Sequence, residues 1–530
     1  MLFTSYAFIG FAALLLLLYY TLPKKIQWPL LLAASWIFYL AAGAENIVYI
    51  LATTLTTYFA AVQIEKNNLR QKSYLKEHRE EFSREEKKAY REGQKKIRMR
   101  WVAACLVINL GILAVVKYSN FFAENVNSIL SAAGTEKRLS FMSVALPLGI
   151  SFYTFSSIGY LIDVYRGTVE AQKNFFKFAL FTSFFPTLVQ GPINRYGDLS
   201  RTLYSEHKFD SKTVSFGLQR VLWGYFKKMV IADRVLAGVA TIVGDAGKYN
   251  GAYVFAGMFL YTLQLYADFT GGIDITIGIA QSLGITVQEN FDRPYFSKSL
   301  KEYWRRWHIS MCSWFRDYLF YPVSISKPMQ RLLRFSKKHL GEAVGKRIPV
   351  YLSSFIVWFA TGLWHGASWN FIVWGLCNWA VLMISEELEP LYRRFHQRFP
   401  GYRGTAVKMF QAGRTFLLVC VMNLFDCYHS ISETAFAFSS MFTVSNWNVL
   451  FDGSLLNIGL SATDYVILAA GTVIMFCASL LQRRKALRDR VSELPYPLRF
   501  IIWFGMFLII LLMGAYGVGY DSSQFIYNQF

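Results

Sequence analysis

Charged residues are scarce in this sequence. Asp, Glu, Lys and Arg make up 17% of its 530 residues, whereas hydrophobic residues make up 54%. Soluble globular chains carry about 25% charged residues, so the composition excludes an ordinary soluble protein and predicts an integral membrane protein. The six cysteines form no C-x-x-C pair and show no other paired spacing. The sequence therefore predicts neither a disulfide framework nor a zinc ribbon.

Several motifs of well-known enzyme classes are also missing. The sequence contains no Walker A loop, no G-x-G-x-x-G turn, no G-x-S-x-G elbow and no H-E-x-x-H pair. Each motif has a defined chemical task in binding phosphate, dinucleotide or zinc, or in carrying a nucleophilic serine. Their absence argues against an ATP-driven pump, a nucleotide-dependent enzyme and a zinc protease. We predict no metal site and no bound cofactor.

The positive charge is concentrated in a few loops. The formal net charge is +21, and 37 of the 55 basic residues fall in four blocks, which are 65–100, 286–349, 386–409 and 482–499. Basic residues collect in the cytoplasmic loops of membrane proteins. The blocks are therefore expected to be cytoplasmic loops, and a nucleic-acid partner is not predicted.

The first apolar segments fit alternating spans. Residues 2–22 form an apolar run that is followed at once by Lys24 and Lys25. This order predicts a retained transmembrane helix with its N-terminus outside. The block 65–100 mixes 13 basic with 7 acidic residues at helical spacing, which predicts a cytosolic helix pair. At about 20 residues for each span, the whole chain is expected to contain about ten to thirteen spans.

The end of the chain gives a second check on topology. Residues 428–481 contain no Lys or Arg, whereas 482–499 contain six. This contrast predicts that 428–463 form an extracytoplasmic loop and that the C-terminus is also extracytoplasmic. The segment 194–251 fits either an interfacial or a re-entrant helix, and its side stays open. One integral domain over 1–530 is the simplest interpretation.

A histidine lies within an aromatic segment at 300–318. The spacing i, i+3, i+4, i+7 predicts one helical stripe that faces inward, with the cations Arg305 and Arg306 mostly on the other side. His308 would then lie among tryptophans. It is either a core histidine with one hydrogen bond or a functional group. The stripe consists of Trp304, Trp307, His308, Met311, Trp314, Phe315 and Tyr318.

A second histidine lies in the most apolar part of the chain. Residues 350–385 contain no Asp, Glu, Lys or Arg, and the run GLWHG occupies 362–366. Glycines on both sides of Trp364-His365 predict a helix break or a re-entrant turn at membrane depth. His365 would lie in a crevice near the bilayer midplane, where an imidazole can act as a general base. The alternative is an interhelical hydrogen bond, and the glycine break favours function.

Two further groups are open to a chemical interpretation. Asp268 and Asp274 flank Gly271-Gly272, and paired metal ligands are one interpretation of them. No further ligands complete a shell, so they are expected to cap or bridge a helix broken at these glycines. Cys312 lies four residues after His308, and an acyl-accepting thiol is the less favoured alternative to inert packing.

Several segments together resemble the membrane-bound O-acyltransferase family, and within it the alginate O-acetyltransferase branch. The similarity extends over nearly the whole chain, because the apolar N-terminal third resembles that branch as well. The segments are YADFTGGIDITIG at 266–278, ENFDRPY at 289–295, WRRWHIS at 304–310, WFRDYL at 314–319, GLWHGA at 362–367 and SQFIYNQF at 523–530.

The resemblance implies a fold and a site. The fold would be an all-α, multi-span helical barrel with a central tunnel and re-entrant helices, and 252–384 would hold the catalytic motifs. His365 matches the family's catalytic histidine, and His308 matches a histidine that is functionally important in this branch. The candidate tunnel-lining residues are Trp304, Trp307, Trp364, Asp268 and Asp317.

The resemblance also implies an activity. In the cell membrane, among its lipids, the protein would move an acyl group, acetyl in the first instance, from acetyl-coenzyme A or an acyl carrier protein thioester in the cytosol. The acceptor would be hydroxyls of a cell-envelope polysaccharide or exopolysaccharide outside the cell. An extracytoplasmic SGNH or esterase-like acyltransferase would complete the transfer. The candidate contacts for the donor phosphates are Lys298, Lys301, Arg305 and Arg306. The alternative is that these cations face lipid headgroups.

Three alternatives remain at this point. The first is D-alanyl transfer from a carrier protein to teichoic acid. The second is a proton-coupled exporter, although only one convincing helix break is found where such transporters often show pairs. The third is a structural membrane scaffold, which would leave the buried histidines unexplained.

Overall fold

The structure is a computed structural model that describes residues 3–142, 146–399, 404–483 and 485–516. Within these ranges the chain forms α-helices joined by short 3-10 and π-helical turns, and no strand occurs. The all-α prediction is therefore confirmed. The motif at 523–530 and the predicted extracytoplasmic C-terminus lie outside the described residues.

The chain divides into two compact units, and the first comprises residues 1–214 and 279–288. In this unit α3 packs against α4, α5 and α6. The expectation of a single integral domain stays a prediction. The helices of this unit are α1 Tyr6–Thr21, α2 Gln27–Leu40, α3 Ile47–Glu77, α4 Arg84–Ala132, α5 Ile150–Arg166, α6 Phe175–Ser183, α7 Phe185–Leu188 and α8 Tyr196–Leu203.

The second unit comprises residues 215–278 and 289–530 and contains both candidate histidines. Helix α9, Ser211–Tyr225, leads into it, and a π-helical segment, Phe226–Ala232, follows. The remaining helices are α10 Asp233–Gly244, α11 Ala252–Ser282, α12 Leu300–Arg306, α13 Ile309–Phe315, α14 Tyr321–Ser324, α15 Lys327–Gly345, α16 Arg347–His365, α17 Trp369–Glu387, α18 Glu389–Arg398, α19 Thr405–Met422, α20 Leu424–Cys427, α21 Ile431–Thr443, α22 Ala462–Leu481, α23 Leu487–Ser492 and α24 Tyr496–Met513.

Several helices are long and apolar enough to cross a bilayer, so the protein is a multi-pass membrane protein. Among the described residues six helices qualify, or seven if the bent pair α17 and α18 forms one span. This is fewer than the ten to thirteen expected, because some apolar runs form short helices; the run 175–190, for example, is divided between α6 and α7. The six are Ala44–Glu77, Arg84–Ala132, Arg347–His365, Thr405–Cys427, Ala462–Leu481 and Tyr496–Met513.

The basic segment 65–100 forms the predicted helix pair. Helix α3 ends at Glu77, and α4 begins at Arg84 after a capping box in which Ser83 and Glu86 bind each other's backbone N–H groups. These bonds lower the pKa of the exposed Glu86 carboxyl. A capping box satisfies backbone donors that a helix start would leave free. The cytoplasmic location of the segment stays a prediction.

Helix α11 does not break at its paired glycines. It runs from Ala252 to Ser282 through Gly271-Gly272, so the predicted break is wrong. A Cβ atom on Gly271 would lie 2.9 Å from the carbonyl oxygen of Gly224. The glycine therefore serves the close approach of α9 to α11, and not a turn.

Candidate active site

The backbone turns sharply at His308. Helix α12 ends at Arg306, α13 begins at Ile309, and His308 between them has left-handed backbone angles, φ 47° and ψ 51°. The prediction of one continuous helix over 300–318 is therefore wrong. A left-handed conformation costs a residue with a Cβ atom about 1–2 kcal/mol, so the surrounding structure must hold His308 in place.

Asn290 holds this turn. Its side-chain oxygen accepts hydrogen bonds from the backbone N–H of Ser310 at 3.0 Å and from the Ser310 hydroxyl at 2.9 Å. The same oxygen lies 3.4 Å from Nδ1 of His308, and the backbone N–H of Ile309 donates to the Asn290 carbonyl oxygen at 3.0 Å. Asn290, His308 and Ser310 are all completely buried. One asparagine thus fixes the backbone and the imidazole together.

Aromatic rings enclose the His308 imidazole. Its centroid lies 5.0 Å from that of Phe269 and 5.9 Å from that of Trp364, both in edge-to-face geometry. The inward direction predicted for the stripe is confirmed despite the helix break, with Trp314 only half-buried. The stripe residues that are buried are Trp304, Trp307, His308, Met311, Phe315 and Tyr318.

His365 is the last residue of α16, where the predicted break occurs. Gly366 is extended, and a Cβ atom there would lie 2.1 Å from the ring of Phe371. At Gly362 a Cβ atom would lie 2.4 Å from the backbone oxygen of Phe371. The glycines therefore let α16 and α17 form a tight helical hairpin. Its depth in the bilayer stays a prediction.

Trp364 links the two histidines. The centroid of its ring lies 5.9 Å from that of His308 and 5.2 Å from that of His365. On its other side the His365 ring meets Trp374 at 4.7 Å between centroids. Two segments far apart in sequence thus converge on one aromatic site.

The His365 side chain borders a cavity of about 30 Å³. This volume exceeds the roughly 10–15 Å³ that a cavity needs in order to hold one water molecule. Nε1–H of Trp304 donates to Oδ1 of Asn378 at 3.1 Å and fixes one wall. The lining residues are Leu265, Leu300, Tyr303, Trp304, Trp307, His365, Phe371, Trp374, Asn378, Val419, Met422, Asn423 and Asp426.

Known proteins are similar to this sequence over much of its length. The profile of the membrane-bound O-acyltransferase family matches residues 166–336, which include His308. The "Probable alginate O-acetylase AlgI" of Azotobacter vinelandii is 34% identical over 390 residues, 73% of this chain and 69% of that protein. The protein of the same name from Pseudomonas putida is 32% identical over 453 residues, 85% of this chain and 82% of its own length. The chain belongs to the membrane-bound O-acyltransferase family.

A more distant relative carries another name. The "Teichoic acid D-alanyltransferase" of Bacillus subtilis is 28% identical over 270 residues, 49% of this chain and 64% of that protein. The relatives and the family make this protein a membrane O-acyltransferase. Family membership favours the enzyme over the exporter and scaffold alternatives.

The predicted tunnel-lining residues of the acyltransferase have different surroundings. Trp304 and Trp307 border the cavity of His365, and Trp364 lies between the histidines. Asp268 instead forms an ion pair with Lys228 at 2.7 Å. The remaining residue, Asp317, pairs with Arg316 at 2.8 Å. The structure therefore brings the three tryptophans to the histidines, and the two aspartates into ion pairs.

The predicted donor contacts lie on and beside α12. Lys301 pairs with Glu386 at 3.0 Å and borders an open groove of about 610 Å³. Arg306 pairs with Glu302 at 2.7 Å, and Arg305 is exposed. The backbone N–H of Lys298 donates to Glu302 at 2.8 Å. None of the four borders the described cavity of His365.

Ion pairs explain the aspartates of α11. The ammonium of Lys228 lies 2.7 Å from both Asp268 and Asp233. Asp274 lies 2.6 Å from Lys227 and accepts a hydrogen bond from Arg220 at 2.8 Å. These aspartates bridge helices, as expected, although the helix is not broken between them. No cluster of metal-ligating side chains occurs in the described part of the chain.

A second and larger pocket lies in the same unit. It has a volume of about 330 Å³ and is bordered by residues of α9, α11, α22 and α24. Trp223, Trp503, Arg220 and Arg488 are among its lining residues. Phe291 borders this pocket, and its ring packs on Trp307 with 4.9 Å between centroids. The contact between Phe291 and Trp307 thus connects the lining of the pocket with the lining of the cavity of His365.

Sequence patterns did not single out three polar residues of the site. Asn290 occurs in the family-like motif ENFDRPY, which gave its position but no function. Asn378 and Asp426 are single polar residues within or next to apolar runs. Without a repeated spacing, only the three-dimensional structure connects them to His365.

Proposed function

We propose that the protein transfers an acetyl group from a cytosolic thioester to hydroxyls of a cell-envelope polysaccharide. The observation that carries this proposal is the convergence of His308 and His365 on Trp364, with His365 bordering a cavity. The names of the alginate relatives support acetyl as the group and a polysaccharide as the acceptor. In this proposal the enzyme resides in the cell membrane with both termini extracytoplasmic.

His365 is the proposed general base. It removes the proton of the acceptor hydroxyl while the oxygen attacks the thioester carbonyl carbon. The carbon–sulfur bond then breaks, and the thiolate takes the proton back from the imidazolium, so the donor leaves as a thiol. A positioned base contributes about 10² to 10⁴ in rate, or about 3–5 kcal/mol.

His308 is proposed to stabilise the oxyanion or orient the donor. Its imidazole is held by Asn290 in a site without exposure to water. Because the Asn290 oxygen only accepts hydrogen bonds, Nδ1 of His308 carries the hydrogen that points to it. Nε2 can then donate to an oxyanion only when the ring is protonated. The left-handed turn and its hydrogen bonds support such a fixed position.

The pocket of about 330 Å³ is the proposed site for the donor arm. A phosphopantetheine arm combines amides, an apolar chain and a phosphate, which suits indoles beside Arg220 and Arg488. The phosphates would reach the cations on and beside α12 as well. The candidates there are still Lys298, Lys301, Arg305 and Arg306.

The acceptor side is proposed to involve a partner protein. The polysaccharide would approach from outside, and an extracytoplasmic SGNH or esterase-like acyltransferase would complete the transfer. The predicted loop 428–463 follows directly after α20, whose Asp426 borders the cavity of His365. This order along the chain supports an acceptor route from that side.

Replacement of His365 tests the proposal. Native protein, His365→Ala and His308→Ala are expressed in a strain that lacks the gene, and the ester content of the exported polymer is measured. We expect His365→Ala to abolish acetylation and His308→Ala to reduce it by a smaller factor. His339→Ala serves as the control, because His339 is exposed on α15. Acetylation by a properly extracted His365→Ala protein would remove His365 from the mechanism.

D-alanyl transfer is the second candidate, favoured by similarity to a teichoic acid D-alanyltransferase. Mild alkali releases both kinds of ester from the polymer. Chromatography of the released acid then separates acetate from D-alanine. Loss of acetate in the deletion strain supports the first candidate, and loss of D-alanine supports the second.

A further inference from the structure

Asp426 brings a carboxyl group to the cavity of His365. It lies in the short helix α20, directly after α19, and its side chain borders the cavity together with His365 and Asn378. Among the described residues, no hydrogen bond or ion pair reaches its carboxyl group. A carboxyl group inside a membrane protein is costly unless it is paired, and it usually has a function.

Three other aspartates of this unit, all buried or half-buried, have cationic partners. Asp268 pairs with Lys228, Asp274 with Lys227, and Asp464 with Arg234. These pairs join helices and have a structural role. Asp426 has no such cation, and the base that shares its cavity is His365. This difference indicates that Asp426 serves the chemistry of the cavity and not the packing of helices.

The surroundings limit the groups that can titrate with Asp426. Tyr303 from α12 and Cys427 from α20 interact with it electrostatically, and His308 interacts with His365. Of the residues that border the cavity, Tyr303, His365 and Asp426 can titrate. Phenols and thiols titrate at about 10 and about 8.5 in water. The cavity therefore brings one imidazole and one carboxyl group together with a phenol that ionises only at higher pH.

We propose that Asp426 is the acid–base partner of His365, and that the two side chains share one proton across the cavity. The cavity of about 30 Å³ suits one bridging water molecule or the acceptor hydroxyl. Loss of the shared proton leaves a neutral imidazole beside a carboxylate, which is the form that can act as a base. The pair then takes the hydroxyl proton and returns it to the leaving thiolate. Asp426 is thus a positioning residue, and this role rests on the proposed function of His365.

The proposal predicts in which direction the pH dependence of the rate changes when Asp426 is replaced. In Asp426→Asn the imidazole no longer shares a proton with a carboxyl group, so it loses its proton at lower pH. The acidic limb of the rate–pH profile is therefore expected to move to lower pH by about one unit. The plateau rate is expected to fall about tenfold or more, because the imidazolium that forms during turnover loses its partner. The KM for the donor is expected to stay unchanged.

Membrane vesicles that carry the native polymer provide the assay. Radiolabelled acetyl-coenzyme A is the donor probe, and label in the precipitated polymer is measured over a range of pH. Native protein is compared with Asp426→Asn, Asp426→Glu, His365→Ala and the double variant of Asp426→Asn with His365→Ala. Asp452→Asn is the matched control, because Asp452 lies in a loop and binds only Asn448 and Ser454 in the described structure.

The outcomes separate this inference from the proposed function. The expected result is that the acidic limb of the rate–pH profile shifts in Asp426→Asn and that Asp426→Glu partly restores the native profile. Asp452→Asn should keep the native profile, and the double variant should lose no more activity than His365→Ala alone. An unshifted limb with a rate within twofold of native, while His365→Ala is inactive, overturns the role of Asp426 alone. Activity in His365→Ala overturns the proposed function. An Asp426→Asn protein that detergent cannot extract in folded form shows a structural role and also overturns the inference.

Discussion

Replacing Asn290 by alanine tests whether the turn at His308 is held for catalysis. The Asn290 oxygen accepts two hydrogen bonds from Ser310 and lies 3.4 Å from Nδ1 of His308. Two buried hydrogen bonds contribute about 1–3 kcal/mol in total. The left-handed conformation of His308 costs about 1–2 kcal/mol, so the turn is expected to relax once these bonds are gone.

Losing the free energy of these hydrogen bonds lowers the fraction of molecules in which the turn at His308 has its native conformation. A change of about 1–3 kcal/mol shifts a two-state equilibrium by about 5-fold to 150-fold. We therefore expect Asn290→Ala to lower the turnover number by about tenfold to hundredfold. The KM for the donor should change little, since Asn290 does not border the pocket of about 330 Å³.

Asn446→Ala is the matched control. The Asn446 side chain also makes two hydrogen bonds to backbone groups, with Ala252 at 2.8 Å and with Asn250 at 3.1 Å. Its loss should lower the midpoint of thermal unfolding in detergent by a similar amount. Turnover per folded molecule should stay native, because Asn446 lies in neither described cavity of the site.

The assay is acetyl transfer per folded molecule, with thermal unfolding measured in parallel. If Asn290→Ala and Asn446→Ala have turnover numbers within twofold of each other, Asn290 contributes only to folding. The idea that the strained turn positions His308 would then be refuted.

Three further predictions concern the surroundings of the site. Gly362→Ala should destabilise the hairpin of α16 and α17 by about 1–3 kcal/mol, because the new Cβ atom would lie 2.4 Å from a backbone oxygen. The control Gly413→Ala, with no atom within 4 Å and a place inside α19, should leave the unfolding midpoint unchanged or slightly raised. Equal midpoints for the two variants would contradict this reasoning. Lys228→Met should cost about 3–5 kcal/mol, because it leaves two buried carboxylates without their cation; a normal yield of folded protein in detergent would contradict this estimate. Trp223→Ala should raise the KM for acetyl-coenzyme A with little change in turnover if the pocket holds the donor arm, and an unchanged KM would place the arm elsewhere.

The composition of the chain determines the class of fold, but not the path of its helices. Apolar runs longer than a bilayer require helices, because a backbone in lipid must satisfy its own hydrogen bonds. The break before Gly366 was predictable, since two glycines bracket a single histidine there. The turn at His308 was not, because the spacing of its aromatic neighbours fits a continuous helix equally well. Backbone hydrogen bonds to Asn290, which is 18 residues earlier, produce that turn.

The paired glycines of α11 show the opposite case. Gly271-Gly272 predicted a break, yet the helix continues because the missing side chain admits Gly224 of α9. A glycine in a sequence indicates either the close approach of another segment or an unusual backbone conformation. The segment that decides between the two cannot be identified from the local sequence. The role of Asp426 was unpredictable for the same reason. A single aspartate at a helix end has no periodicity to interpret.

Both histidines lie where a helix stops, and this placement has a physical reason. At a helix end the backbone is no longer bound to helical dihedral angles, so the turn itself sets the direction of the ring. His308 occupies the gap between α12 and α13, and His365 the end of α16. Trp364 contacts both rings, so a shift of either turn changes the separation of the two groups. The aromatic packing thus fixes the distance between the proposed base and the proposed oxyanion donor, which proton transfer and acyl transfer in one site require.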